Sequence, residues 1–294
     1  MITRRHEIEY EFGNVLGKGT YSEVFAAKRR TLQAAAAVFL EEMVAIKRTK
    51  KANLLSLSER EIPQKEIRTM ETIGKHPNAV FMYESYEDEH SVFLVLELAH
   101  GITLESKLVH FPLGLSTADA RHIMHQLLQA VHHLHCRGIV HMDISPKNVL
   151  VDDELNCKLI DFGLAFQTSD GYPPQGGVGT RGYMAPEVAA MLQCKVKESA
   201  DLWSLGILAY EILCGISPQL FFPSGIEFPD EFWRDKDVRA LEFIKSLLQR
   251  NPQDRPTIKQ ALEADWFVMY IICLILHSAM HAQRLVVCAS VVWR

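Results

Sequence analysis

The chain has 294 residues, a length that allows roughly two ordinary domains or one large bilobed one. With 48% hydrophobic and 23% charged residues it sits near the globular average, which excludes a long disordered chain, a collagen-like fibre and a disulfide miniprotein. Thirty-one Lys and Arg against 36 Asp and Glu leave a formal net charge of −5, a poor match to a phosphate backbone, so nucleic acid is not an expected partner.

Residues 1–11 read as a polar arm, charged and without the apolar stretch of a secretory signal. From residue 12 to about 98 short β-branched and aromatic runs predict strands over Phe12–Leu16, Val24–Lys28, Val44–Arg48, Val80–Tyr86 and Val92–Glu97. One helix interrupts them, about Glu59–Ile73, with Ser58 and Glu61 as a capping box and Pro63 in its first turn. Thr31–Glu42 contains an alanine run and reads as an enlarged connection between strands, with real helical propensity.

After Gly101 the period changes. Thr117–Cys136 is a predicted helix capped by Ser116 and Asp119, with Ile123, Leu127, Val131 and Leu134 as its apolar stripe. Ala200–Leu213 is apolar nearly all round, the pattern of a central buried helix. Val238–Leu248 and Ile258–Leu262 are shorter helices. Strands first and helices afterwards predict two lobes joined near residues 97–101, about 12–98 and about 102–267. In the tail, 268–294, two apolar runs flank the polar His277–Arg284, and neither approaches the ~20 residues that span a bilayer. A packed terminal helix or strand pair is the favoured reading. Membrane-surface attachment is disfavoured by the lack of a basic face, and a segment that does not fold with the domain is the remaining alternative.

Cys136, Cys157, Cys194, Cys214, Cys273 and Cys288 contain no CxxC pair and read as reduced, mostly buried thiols of a cytoplasmic protein. His122, His125, His132 and His133 share one helix, but no carboxylate or cysteine completes a metal set with them, so they read as partly exposed helix histidines.

The chemistry-bearing motifs begin with the glycine-rich Leu16-Gly17-Lys18-Gly19-Thr20-Tyr21-Ser22-Glu23-Val24 between two predicted strands. Glycines let a backbone approach phosphates closely, but the segment lacks a P-loop ending and no helix follows it. Lys47 ends the apolar Val44-Ala45-Ile46, and the helix after it offers Glu59, Glu61, Glu66 and Glu71 as partners. The second half carries His141-Met142-Asp143-Ile144-Ser145-Pro146-Lys147-Asn148, then Ile160-Asp161-Phe162-Gly163, then Gly179-Thr180-Arg181-Gly182-Tyr183-Met184-Ala185-Pro186-Glu187, with Asp201 opening the buried helix and Arg255 later.

In this order and on these elements the motifs resemble the eukaryotic protein kinase superfamily, most nearly its serine/threonine type, over about residues 12–267. The resemblance implies a two-lobed α+β fold, with a small mainly β lobe bearing one helix and a larger mainly helical lobe. It implies ATP as phosphoryl donor, Mg2+ as cofactor and protein substrates, and we expect a monomer. In that reading the loop with Leu16, Gly17, Lys18 and Gly19 covers the ATP phosphates, and Lys47 holds the α- and β-phosphates while a helix glutamate holds Lys47. Counting ten back from His76 selects Glu66 for that role, with Glu61 in reserve. Asp161 and Asn148 would hold magnesium, and Asp143 would accept and orient the substrate hydroxyl. Val24, Ala45 and Leu150 would sandwich the adenine, Leu96 would stand as gatekeeper, and the backbone of Glu97 and Ala99 would meet the purine edge. Met70, His141 and Phe162 should stack between the lobes, and Glu187 with Arg255 should form a structural ion pair.

Three departures stand out. Met142 replaces an arginine that in many members pairs with a phosphorylated activation-loop residue, leaving phosphate at Thr168, Ser169 or Tyr172 without that partner. Ser145 stands where serine/threonine kinases carry a lysine, and Lys147 falls where tyrosine kinases carry a basic residue, which makes Lys147 a candidate catalytic cation. Only ten residues separate Gly215 from Ile226, shorter than the family's usual stretch. Ser145 and this shortened stretch motivate an alternative, a pseudokinase or ATP-binding scaffold with little transfer activity. A small-molecule kinase of related fold would lack the Ala185-Pro186-Glu187 segment.

Overall fold

The computed structural model describes residues 2–5, 8–33, 38–170, 179–190, 198–221 and 225–274. The N-terminal lobe is built on a six-stranded antiparallel sheet. Its strands are β1 (Ile2–Arg5), β2 (Ile8–Lys18), β3 (Ser22–Gln33), β4 (Val38–Lys50), β5 (Met82–Glu87) and β6 (Ser91–Glu97), in the order β1-β2-β3-β4-β6-β5. The two-residue period sorts each strand between two cores. Val44, Ile46, Phe93 and Val95 join Tyr10 and Ala27 on the outer face. Ala45, Leu94 and Leu96 face inward against α1 (Leu57–Ile73), packing with its Ile67, Met70 and Ile73. Lys47, one residue past the outward Ile46, is thereby aimed into the lobe.

Three expectations change here. The polar arm is part of the sheet: β1 and β2 form a hairpin with Ile2 opposite Glu11 and Arg5 opposite Ile8. The alternation Ile8, Tyr10, Phe12 supplies the apolar face that recruits it, and Tyr10 is wholly buried. Thr31–Glu42 is less of an enlarged connection than expected: its described residues extend the β3–β4 pairing, with Thr31 opposite Leu40 and Gln33 opposite Val38. The ladder carries paired charges, such as Arg30 on Glu41 at 2.9 Å; Ala34–Ala37, on which the helical propensity rests, lie outside the described residues. The helix cap is Ser56 with Glu59, two residues before the expected box, and Pro63 lies inside α1. Val80 precedes the strand and donates its N–H to the Leu159 carbonyl of the other lobe at 2.9 Å.

The C-terminal lobe begins with β7 (Ile102–Thr103), α2 (Leu104–Leu108) and α3 (Thr117–His135), the last capped by Ser116 as expected. Two small antiparallel sheets follow, one of β7, β9 (Val149–Val151) and β10 (Cys157–Leu159), the other of β8 (Ile139–Val140) and β11 (Phe166–Gln167). The helices are then α4 (Pro186–Ala189), α5 (Ser199–Cys214), α6 (Pro218–Phe221), α7 (Asp230–Trp233), α8 (Val238–Leu247) and α9 (Ile258–Leu262). As predicted, α5 is the buried axis, almost every side chain inaccessible. Gly206 is required there, because an added Cβ would stand 2.9 Å from the Leu247 Cβ of α8. The short Gly215–Ile226 stretch contains α6; residues 222–224 lie outside the described part.

Residues 265–274 are helical. Trp266 and Phe267 are buried, and Tyr270 meets His122 and His125 of α3. Among the described residues no helix is long and apolar enough to cross a membrane; residues 275–294, and the readings of the tail that fall on them, lie outside the description. Of the helix histidines, His125 is buried against Phe267 rather than partly exposed. Cys157 and Cys214 are buried, whereas Cys136 and Cys273 are exposed free thiols, more open than expected; Cys194 and Cys288 are not described.

Candidate active site

The inward face of β4 presents Lys47, whose Nζ lies 2.6 Å from Glu66 Oε1 of α1 and 2.9 Å from Asp161 Oδ1. Burial acts against the Lys47 ammonium, but Glu66 and Asp161 outweigh it and hold its pKa above the ordinary lysine value. Burial pushes the Glu66 carboxyl up, restrained by Lys47. Burial also opposes the Asp161 charge, and Lys47 more than offsets it, so Asp161 stays below the usual carboxylate range. The reserve partner Glu61 instead pairs with Lys65 on the exposed face of α1 at 3.0 Å.

Asp143 lies on the loop between β8 and β9. Its Oδ1 accepts from the Thr180 N–H at 2.7 Å and the Thr180 hydroxyl at 2.5 Å, and its Oδ2 accepts from Asn148 Nδ2 at 2.7 Å. Lys147 Nζ is 3.4 Å from the same Oδ2 and half exposed, so it faces the carboxylate rather than open solvent alone. Ser145 is fully buried, with its hydroxyl 3.4 Å from that of Thr180. Gly179 permits this approach: at φ +126° an added Cβ would come 2.8 Å from the Met142 carbonyl.

The two halves of the site are tied by the backbone. Ile160, next to Asp161, donates its N–H to the Asn148 carbonyl at 2.9 Å. Lys47, Asp143, Asn148 and Asp161, scattered along the chain, therefore meet in one cleft. Met70, His141 and Phe162 are buried behind it, with the His141 and Phe162 rings 5.1 Å apart. At the base, the Asp201 carboxylate of α5 accepts from the His141 N–H at 2.9 Å and the Met142 N–H at 3.0 Å, with His135 Nε2 a further 2.9 Å contact. It holds Met142 at φ +68°, a conformation a bulky residue rarely adopts. Asp201 and Thr180 are the supports of the candidate site that sequence reasoning underweighted: an acid in a helix's first turn reads as dipole compensation, and only its aim toward the loop reveals more.

The remaining candidates line the cleft's mouth. Leu16 and Lys18 are exposed on the glycine-rich turn, which Gly19 closes by donating to the Ser22 carbonyl at 2.8 Å, and space around Gly17 is open. Val24 lies opposite Lys47, and Ala45 opposite Leu96, in the ladder. Leu150 is half-buried in β9, and Ala99 is half-buried just past β6. The Glu97 N–H goes to the Phe81 carbonyl at 2.8 Å, so only its carbonyl could serve a purine, while its carboxylate binds Lys158 at 2.5 Å. Glu187 of α4 and Arg255 form the expected ion pair, two-pronged at 2.7 and 2.8 Å.

The oxygen-only donors of Asp161 and Asn148 suit a small hard cation, since Asn148 donates its Nδ2 to Asp143 and keeps its Oδ1 as an acceptor. A paired cation, two oxygen ligands and a carboxylate ringed by donors form a set that can position a polyphosphate against a hydroxyl.

Comparison with known proteins agrees. A family model described as the protein kinase domain matches residues 10–267. A calcium/calmodulin-dependent protein kinase type 1 from Caenorhabditis briggsae is 32% identical over 271 residues, covering 88% of this chain and 72% of that protein. The liver/testis phosphorylase b kinase gamma catalytic chain of Mus musculus is 30% identical over 277 residues, 88% of this chain and 66% of its own. CBL-interacting protein kinase 20 of Oryza sativa subsp. japonica is 33% identical over 279 residues, 88% of this chain and 57% of its own.

Proposed function

The chain belongs to the eukaryotic protein kinase superfamily as a serine/threonine kinase, and from that premise we propose how its own residues divide the transfer of the γ-phosphoryl group of ATP to a protein hydroxyl. Lys47, fixed by Glu66, holds the α- and β-phosphates. The glycine-rich turn covers them, with backbone N–H groups where side chains would crowd. Ala45, Val24 and Leu150 hold the adenine between apolar surfaces, with Leu96 at the back and Glu97 and Ala99 along the purine edge.

Asp161 and Asn148 would hold magnesium, which when bound neutralises charge on the phosphate oxygens. Asp143 orients the attacking hydroxyl and takes its proton. Because its two oxygens are fixed by Thr180 and Asn148, the carboxylate cannot swing away, and orientation is its main contribution. Lys147 supplies, four residues after Asp143, the cationic contact that Ser145 lacks two residues after it.

The observation that carries this reading is the closed set Lys47–Glu66–Asp161 beside the anchored Asp143. Labelled ATP with a generic protein substrate tests it. Asp143→Asn should abolish transfer, and Lys147→Ala should lower it tenfold or more, about 1.4 kcal/mol of barrier. An unchanged rate in the second variant would make Lys147 a surface lysine, and no transfer by the unaltered protein would leave an ATP-binding scaffold.

A further inference from the structure

Tyr21 lies at the tip of the glycine-rich turn, and its hydroxyl donates to Glu59 Oε1 at 2.9 Å. Glu59 is not an ordinary surface acid. Its other oxygen accepts the backbone N–H groups of Leu55 and Ser56, each at 2.8 Å, and completes the box that starts α1. Seven residues on, two turns along the same helix, Glu66 holds Lys47. The base of the turn is fastened separately, through Glu23 to Arg48 of β4 at 2.7 Å. One helix therefore grips the roof of the cleft at its first turn and the phosphate-binding lysine in its middle.

The geometry points to Tyr21 as a positioning residue that links closure of the glycine-rich turn over the nucleotide to the seating of α1, and so to the Lys47–Glu66 pair. It rests on the nucleotide reading above. A nucleotide that draws the turn down favours the Tyr21–Glu59 contact, which fixes the start of α1. Conversely, a seated α1 holds the turn ready, so the two events strengthen each other by the same factor. Tyr21 touches no reacting atom in this scheme; its hydroxyl acts through Glu59.

Tyr21→Phe removes the hydroxyl and keeps the ring. The KM for ATP should rise about fivefold while kcat changes much less, since Lys47 and Asp143 remain in place once nucleotide is bound. The same substitution in a Glu59→Ala background should have no further effect on KM. Amide exchange read on the whole protein gives an independent measure. A non-hydrolysable ATP analogue should protect residues 57–66 in the unaltered protein, and that protection should fall clearly in Tyr21→Phe at equal analogue saturation. Equal KM and equal protection in Tyr21→Phe, or additive effects in the double variant, would overturn the linkage while leaving the kinase reading intact. Failure of the unaltered protein to bind the analogue would instead remove the nucleotide reading, and this inference with it.

Discussion

Met142 is buried beside Asp143, its N–H held by Asp201, and it brings no cation to the loop after Asp161. Thr168 there is fastened through its backbone N–H to the Gly138 carbonyl at 2.8 Å, and Tyr172 lies outside the described residues. Phosphatase treatment should therefore leave the transfer rate within about twofold; a tenfold loss, about 1.4 kcal/mol, would show that a phosphate is needed elsewhere. At this scale the sequence was informative where a residue's chemistry is local. Glu66 could be chosen by counting from His76. The helix cap could not, because Ser56 with Glu59 and Ser58 with Glu61 satisfy the same Ser-x-x-Glu pattern two residues apart. Only three-dimensional contacts, Tyr21 among them, separate the two frames.

Elements were legible when their apolar period was strong, as in α3 and α5, and illegible where a strand runs well past its short apolar core, as in the β3–β4 ribbon. The connection from α1 to β5 has a further property that no pattern announces. His76 Nδ1 accepts the Asn78 N–H at 3.1 Å, and its ring lies 4.6 Å from that of His133. Burial first, then the neighbouring His133, Lys158 and Arg137, lowers the His76 pKa to about 4. Its folded value thus lies below the unfolded 6.5, so the unfolded chain binds the proton more readily. The contribution to stability is whole above about pH 6.5 and is lost as the pH falls toward 4. Melting temperature should drop between pH 7 and pH 5, and His76→Asn, which keeps an acceptor for Asn78 but does not titrate, should drop less. Equal slopes in the two proteins would mean that His76 is not the group responsible.

Two lobes were readable from the switch from strands to helices, and packing after 267 was the favoured reading, but the face it covers was not legible, because 268–276 is simply apolar. A helix over 265–274 runs beyond the expected boundary at 267, and its first turn packs against the base of the C-terminal lobe. Trp266 and Phe267 lie 5.3 and 5.2 Å from the Phe243 ring of α8, and Arg121 of α3 lies over Trp266. The candidate site lies at the other end of α3 and α5, where Asp201 meets His135 and the His141 N–H. Stability and chemistry are thus carried at separate places on one scaffold, and a change at the base should lower the first without altering the second. Trp266→Ala should cost about 3–5 kcal/mol and lower the melting temperature by on the order of 10 °C. Well below that temperature, affinity for a non-hydrolysable ATP analogue should stay within about twofold of the unaltered protein, because Lys47, Glu66 and Asp161 bond one another without touching the base. Calorimetry of melting and of analogue binding on the same samples checks both halves. A parallel collapse of affinity in the still-folded variant would show that the cleft depends on the packing of α3 against the helix over 265–274.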